Sequence, residues 1–147
     1  MHITSSAFPH NGTIPTKYGR AYDDISPPLA LTDIPPDAES LVLIADDPDA
    51  PGGTFTHWVI YNIPPAEINL GEDEIPAESN EGTNGYGEKG YGGPKPPSGT
   101  HRYFFKLYAL DEELDLAEDL KSDELEEAIE GHVIAKAELM GQYSALR

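Results

Sequence analysis

Three stretches of the chain carry dense apolar patterning, and each reads as a strand. "SLVLIADD", Ser40 to Asp47, is a continuous apolar run ending in two acids, the pattern of a strand buried on both faces. "HWVIYNIP", His57 to Pro64, is rich in β-branched and aromatic residues and is stopped by Pro64 and Pro65. "HRYFFKLYAL", His101 to Leu110, is a third and strongly aromatic strand. The final segment, "SDELEEAIEGHVIAKAELMGQY", has different spacing. Leu125, Ile129, Val133, Ala137 and Met140 fall on one stripe of a 3.6-residue repeat, which predicts a C-terminal helix. Ser122 is its expected N-cap, with Asp123 and Glu124 in the first turn and Gly141 as its C-terminal stop.

Polar and turn-forming positions fill the intervals. Residues 1–40 read as loop-rich, because the proline pairs Pro27–Pro28 and Pro35–Pro36 forbid helix. Residues 65–100 also read mostly as loop, ending in "NEGTNGYGEKGYGGPKPPSG". Tyr86 and Tyr91 give this stretch apolar anchors, which sets it apart from a flexible linker. A long loop inside a compact domain is commonly functional. Strands precede the helix and no internal repeat is visible. The expected class is mainly β, with antiparallel sheets packed in a sandwich, peripheral helices and a C-terminal helix.

Composition narrows the possibilities. At 147 residues, 1–147 form a single domain with a substantial core. The 14 glycines and 14 prolines favour short strands and elaborate loops over a bundle. The absence of cysteine excludes disulfides, thiolate metal sites and cysteine nucleophiles, and fits a reducing cytoplasm. No signal-peptide pattern opens the chain, and "LVLIA" is far too short to span a bilayer. The expectation is a cytoplasmic protein with no stable membrane insertion.

Charge sharpens this. Twenty-seven acids against nine bases give a formal net charge of −18, a surface that repels nucleic acid and anionic membrane. The eleven acids between Asp111 and Glu130 read as a solvated face. Such acidity also suits a salt-rich cell interior, where screening shortens the reach of self-repulsion.

The chemistry concentrates at strand ends. Asp46, Asp47 and Asp49 lie where the first strand stops, in a loop stiffened by Pro48 and Pro51 that aims their carboxylates. His57 and His101 each open a strand beside a Gly/Pro-rich loop. If those strands are neighbours, two imidazoles and two carboxylates meet at one mouth. Histidine beside carboxylate has its cationic form favoured, which suits anion binding.

The motifs "SPPL", "DPDAP", "HWVIYNIP", "GYGGPKPP", "HRYFF" and "GHVIAKAELMGQY", in this order over nearly the whole chain, resemble the phosphatidylethanolamine-binding protein family, in its bacterial and archaeal Raf kinase inhibitor-like branch. The resemblance implies packed antiparallel sheets and a small pocket at one end for phosphate or a phosphorylated headgroup. Carried over by motif, the ligand-binding positions are Asp47, Asp49 and His57, then Tyr91, Gly93 and Pro96, then His101 and Tyr103. It implies binding without catalysis, no cofactor, and a protein partner of the kinase type as a further use of the surface. No nucleophile–base–orienter set is apparent in the chain. The competing expectation is a metal-dependent enzyme in which His57, His101 and Asp47 or Asp49 form a two-histidine, one-carboxylate face.

Overall fold

The computed structural model describes residues 1–146. In chain order its elements are β1 (His2–Thr4), β2 (Gly12–Thr13), a single 3-10 turn (Thr16–Tyr18), β3 (Leu29–Thr32), β4 (Ser40–Asp47), β5 (Phe55–Ile63), β6 (Ile68–Leu70), β7 (Asn80–Glu81), β8 (Thr100–Leu110), α1 (Ser122–Ile129) and β9 (Val133–Ser144). A six-stranded sheet runs β2-β9-β8-β4-β5-β7, and a three-stranded sheet runs β1-β3-β6. All pairings are antiparallel except the short parallel contact of β2 with β9. Three strands therefore lie within the first 40 residues, where the prolines suggested loop.

Every residue of β4 is buried, as its unbroken apolar run predicts. Period-2 alternation sends the two halves of that run to different cores. Leu41, Leu43 and Ala45 join Trp58, Ile60, Phe105, Leu107 and Leu139 against Ile3, Leu29 and Leu31 of the small sheet. Val42 and Ile44 face the other way, packing with Val59 and Tyr61 under Leu125 and Ile129 of α1. Each fully buried aliphatic or aromatic side chain contributes about 1.5–3 kcal/mol. The paired faces lock β4 as the central strand.

The C-terminal helix requires correction. Only Ser122–Ile129 is helical, and Val133–Ser144 is a strand that pairs with nearly the whole of β8. Gly131, at φ 84°, turns the chain between them. Leu125 and Ile129 do form a buried helical pair, but beyond the turn the buried residues are Leu139, Gly141 and Tyr143, at strand spacing. Gly141 therefore ends no helix. It lies opposite Tyr103, and a Cβ there would meet Ile14 Cγ1 at 2.5 Å and the Phe8 ring at 2.7 Å. The helix cap shifts as well. Lys121 is the N-cap residue, its backbone N–H donating to Glu124 Oε1 at 3.0 Å, while Ser122 Oγ pairs with Thr56 Oγ1 at 2.7 Å.

The pairing of β4 with β5 carries one irregularity. Ala45 is opposite Trp58 and Asp46 is opposite Thr56, so His57 is the extra residue of a β-bulge. Bulges re-aim a side chain that regular pairing would point elsewhere.

Among the described residues, no helix is long and apolar enough to cross a membrane.

Candidate functional site

The C-terminal end of β4, the start of β5 and the start of β8 meet at one end of the six-stranded sheet. A cavity of about 150 Å³ opens there, walled by Asp47, His57, His101 and Tyr103 and rimmed by Phe55, Tyr86, Lys95 and Pro96. Alternation along β8 puts His101 and Tyr103 on the same face. The Tyr103 ring lies between the imidazoles, with centroids 5.1 Å from His57 and 6.5 Å from His101.

Each imidazole is fixed by one nitrogen. His101 Nδ1 lies 2.6 Å from Asp47 Oδ2, and both side chains are buried. The carboxylate accepts, so Nδ1 carries the hydrogen and Nε2 has no partner among the described residues. The other carboxylate oxygen, Asp47 Oδ1, accepts the backbone N–H of Asp49 at 2.8 Å, closing an Asx turn. His57 Nδ1 lies 2.7 Å from the carbonyl oxygen of Gly92. A carbonyl can only accept, so this nitrogen also carries the hydrogen and Nε2 bears the lone pair of the neutral ring. Burial lowers the His57 pKa, against the opposing pull of the Gly92 carbonyl and Asp47. Its neutral form therefore prevails at pH 7.

Tyr103 supplies the least satisfied group. Its hydroxyl is buried and makes no hydrogen bond of ordinary geometry among the described residues, although the Asp47 carboxylate is close to it. Burial first, then the charge and proximity of that carboxylate, raise its pKa, so it remains an O–H donor. Tyr86, on the opposite wall, is pushed up to about 12 by burial and donates to the Gly93 carbonyl at 2.9 Å. The one cation on the rim is Lys95, which is exposed and has no carboxylate within ion-pair distance among the described residues.

The long loop is laid along the edge of β5 rather than hanging free. Gly82 N donates to Val59 O, Gly85 N to Thr56 O and Gly92 N to His57 O, each at 2.8 Å. Asn84, buried, holds its curl by donating to Gly90 O and accepting from the N–H groups of Tyr86 and Glu88. This anchoring brings the Gly92 carbonyl to His57.

Of the positions expected from sequence, Asp47, His57, Pro96, His101 and Tyr103 border the cavity, and Asp49, Tyr91 and Gly93 do not. Asp49 clamps Arg102, accepting from its backbone N at 2.9 Å, Nε at 3.0 Å and Nη2 at 2.8 Å, which ties the aspartate loop to β8. Tyr91 packs edge-on to Trp58 and donates to the Tyr18 carbonyl at 2.8 Å. Gly93 donates its N–H to Asp24 Oδ1 at 2.7 Å, and a Cβ there would come within 2.3 Å of Tyr18 O. Sequence reasoning passed over Lys95. It lies inside "GYGGPKPP", and its signal was available: a base in a chain so poor in bases, flanked by stiff prolines.

For the metal-dependent reading, no group of three or more His, Cys, Asp or Glu side chains among the described residues is placed to hold a metal ion.

Comparison with known proteins agrees with this architecture. A family model described as phosphatidylethanolamine-binding protein matches residues 4–144. A UPF0098 protein of Methanothermobacter thermautotrophicus is 48% identical, with the alignment covering 97% of this chain and 98% of the relative. A UPF0098 protein of Pyrococcus abyssi is 47% identical over 97% of this chain and 85% of its own. Among solved structures, a phosphatidylethanolamine-binding protein homologue from Chlamydia trachomatis superposes with a TM-score of 0.93 at 44% identity, covering 99% of this chain and 97% of that one. Escherichia coli YbcL, described as a member of the mammalian PEBP family, gives a TM-score of 0.91 at 27% identity over 99% and 98%. The chain belongs to the phosphatidylethanolamine-binding protein family.

Proposed function

We propose that this member of the phosphatidylethanolamine-binding protein family is a binding protein for small phosphorylated anions, and that the cavity between β4, β5 and β8 is its ligand site. The observation that carries the reading is the Tyr103 hydroxyl, a buried donor with no well-placed acceptor among the described residues, on the wall of a cavity whose rim holds a lysine with no ion-pair partner among them. A buried unsatisfied hydroxyl costs about 1–3 kcal/mol. A ligand oxygen accepting from it recovers that cost.

The division of labour follows from the hydrogen bonds. Asp47 does not face the anion with a free oxygen, because one oxygen receives His101 and the other receives the Asp49 N–H. It orients His101 so that Nε2 is free for the ligand, and balances the charge of that imidazole in its cationic form. Lys95 draws the anion to the opening. No side chain of the cavity forms a nucleophile–base pair of the kind acyl or phosphoryl transfer needs, so binding is the function assigned.

Titration calorimetry with inorganic phosphate and with phosphoethanolamine tests the reading. Wild-type protein is expected to bind, and His101→Ala to lose at least about tenfold in affinity through loss of a charge-assisted contact. Its unfolding midpoint should stay within a few degrees of wild type. Unchanged affinity in a folded variant, or no binding by the wild type, removes the assignment.

A further inference from the structure

The two nitrogens left facing ligand are not equivalent. His101 Nδ1 is held by a carboxylate, whose charge supports an N–H donor at Nε2. His57 Nδ1 is held by a neutral carbonyl in a buried setting, where the neutral ring is favoured and Nε2 is a lone pair. An acceptor in an anion site looks like a defect. It repels any fully deprotonated oxyanion oxygen brought against it, and it welcomes a P–O–H.

We propose that the cavity selects oxyanions that still carry a proton, the biological class being the monoprotonated phosphomonoester, and that His57 Nε2 is the acceptor that reads the proton. The inference rests on the oxyanion reading of this cavity and goes beyond it by assigning which oxyanion.

The surroundings of His57 support the assignment. Asp47 at the end of β4 and Asp24 in the loop beside Gly93 are the charged groups facing it, with the Phe55 ring and the phenols Tyr86 and Tyr103 completing its neighbourhood. Both charges pull towards a protonated ring, and the carbonyl does the same. The burial of the ring outweighs them. Across the cavity the remaining ligand oxygens have donors: the Tyr103 hydroxyl, the His101 ring when protonated, and Lys95 at the rim. One acceptor against several donors matches a tetrahedral anion bearing one hydroxyl.

Phosphate and sulfate separate the two levels of the proposal, since they share shape and size while only phosphate carries a proton near neutrality. Calorimetry on the wild-type protein at pH 7 is expected to show phosphate binding tighter than sulfate by about tenfold or more, the cost of setting an anionic oxygen against an unpaired buried acceptor. Methyl phosphate should bind progressively more weakly as pH rises through its second pKa, about 6. Dimethyl phosphate, which has no proton to lose, should bind weakly and without that dependence. In His57→Phe the phosphate-over-sulfate preference should collapse. Because that ring is buried and its replacement can perturb folding, nitrogen NMR of the wild-type imidazole provides a second reading: neutral, protonated at Nδ1 and bare at Nε2. Equal binding of phosphate and sulfate by the wild type overturns the proton-reading while leaving an oxyanion site in place. Binding of neither anion removes the site itself. A doubly protonated His57 at pH 7 also ends the proposal.

Discussion

Asp46 and Asp47 are adjacent in sequence and buried to the same degree, yet they lie on opposite faces of β4 and have opposite fortunes. Asp47 points to the cavity side and has both oxygens used, by His101 and by the Asp49 N–H. Asp46 points to the α1 side, where Lys106 Nζ reaches Oδ2 at 3.0 Å and Oδ1 has no partner among the described residues. Burial raises the Asp46 pKa, opposed by the Lys106 contact. The contrast teaches that a run of acids is not one feature. Strand alternation gives each carboxylate a different environment, and the environment decides whether it serves a ligand or only the fold.

The largest expected effect lies on the structural side. Removing the amine in Lys106→Met leaves a buried carboxylate with no cation, which costs about 3 kcal/mol, the lower end for a broken buried pair because Lys106 keeps some solvent contact. Chemical denaturation reads this directly. The double variant Asp46→Leu/Lys106→Met should recover most of the loss, since an apolar pair on that face packs where an ion pair stood. If Lys106→Met is neutral, Asp46 is held by water or by its proton, and the contrast between the two aspartates narrows.

On the cavity side the expected loss is in affinity rather than stability. Asp47→Asn keeps the shape and an acceptor for His101 but removes the charge that makes the contact strong, so phosphate affinity should fall about tenfold. Asp46→Asn, one residue away and facing the other core, should leave affinity within about twofold. Calorimetry on the two variants side by side decides the point. Equal losses would mean that the face of the strand does not matter.

Both faces of β4 were legible in its unbroken apolar run, and the ends of β5 and β8 were legible from aromatic and β-branched clusters beside prolines and glycines. The strand nature of Val133–Ser144 was not. Leu125 and Ile129 begin a true helical stripe, and Val133 and Ala137 continue its spacing by coincidence. What settles the matter is pairing with β8, a contact between segments distant in sequence that local periodicity cannot register. The β-branched pair Val133–Ile134 after Gly131 was the local sign available. The site divides in the same way. Histidines and aspartates announce their chemistry by type, so Asp47, His57 and His101 could be read. Tyr91 and Gly93 share the loop motif but are spent on Trp58, Tyr18 and Asp24, and only tertiary contacts distinguish a wall residue from one that is not. The acceptor character of His57 depends on a bulge and on one carbonyl brought from 35 residues away.

The smallest effect concerns the third acid of the run. Asp49, two residues beyond Asp47, sits near the surface, where the Arg102 guanidinium and backbone N–H lower its pKa to about 2. In an unfolded chain an aspartate titrates near 4. The clamp's stabilisation is therefore complete above pH 4 and fades as acid protonates Asp49 between about 4 and 2. Asp46 has the opposite sign. Its pKa is raised, so the cost of burying its charge is present at higher pH and is relieved on acidification. Asp49→Asn should consequently show a shallower fall in unfolding midpoint from pH 4 to pH 2 than wild type, and the difference should shrink in molar salt because the ion pair is exposed. Asp46→Asn should instead steepen the fall above pH 4, between the raised folded value of Asp46 and the unfolded value, having lost the group whose protonation offsets the others. Parallel curves for all three proteins would mean that the acids of this loop act as one averaged charge, and the face-by-face division drawn from Asp46 and Asp47 would not extend to Asp49.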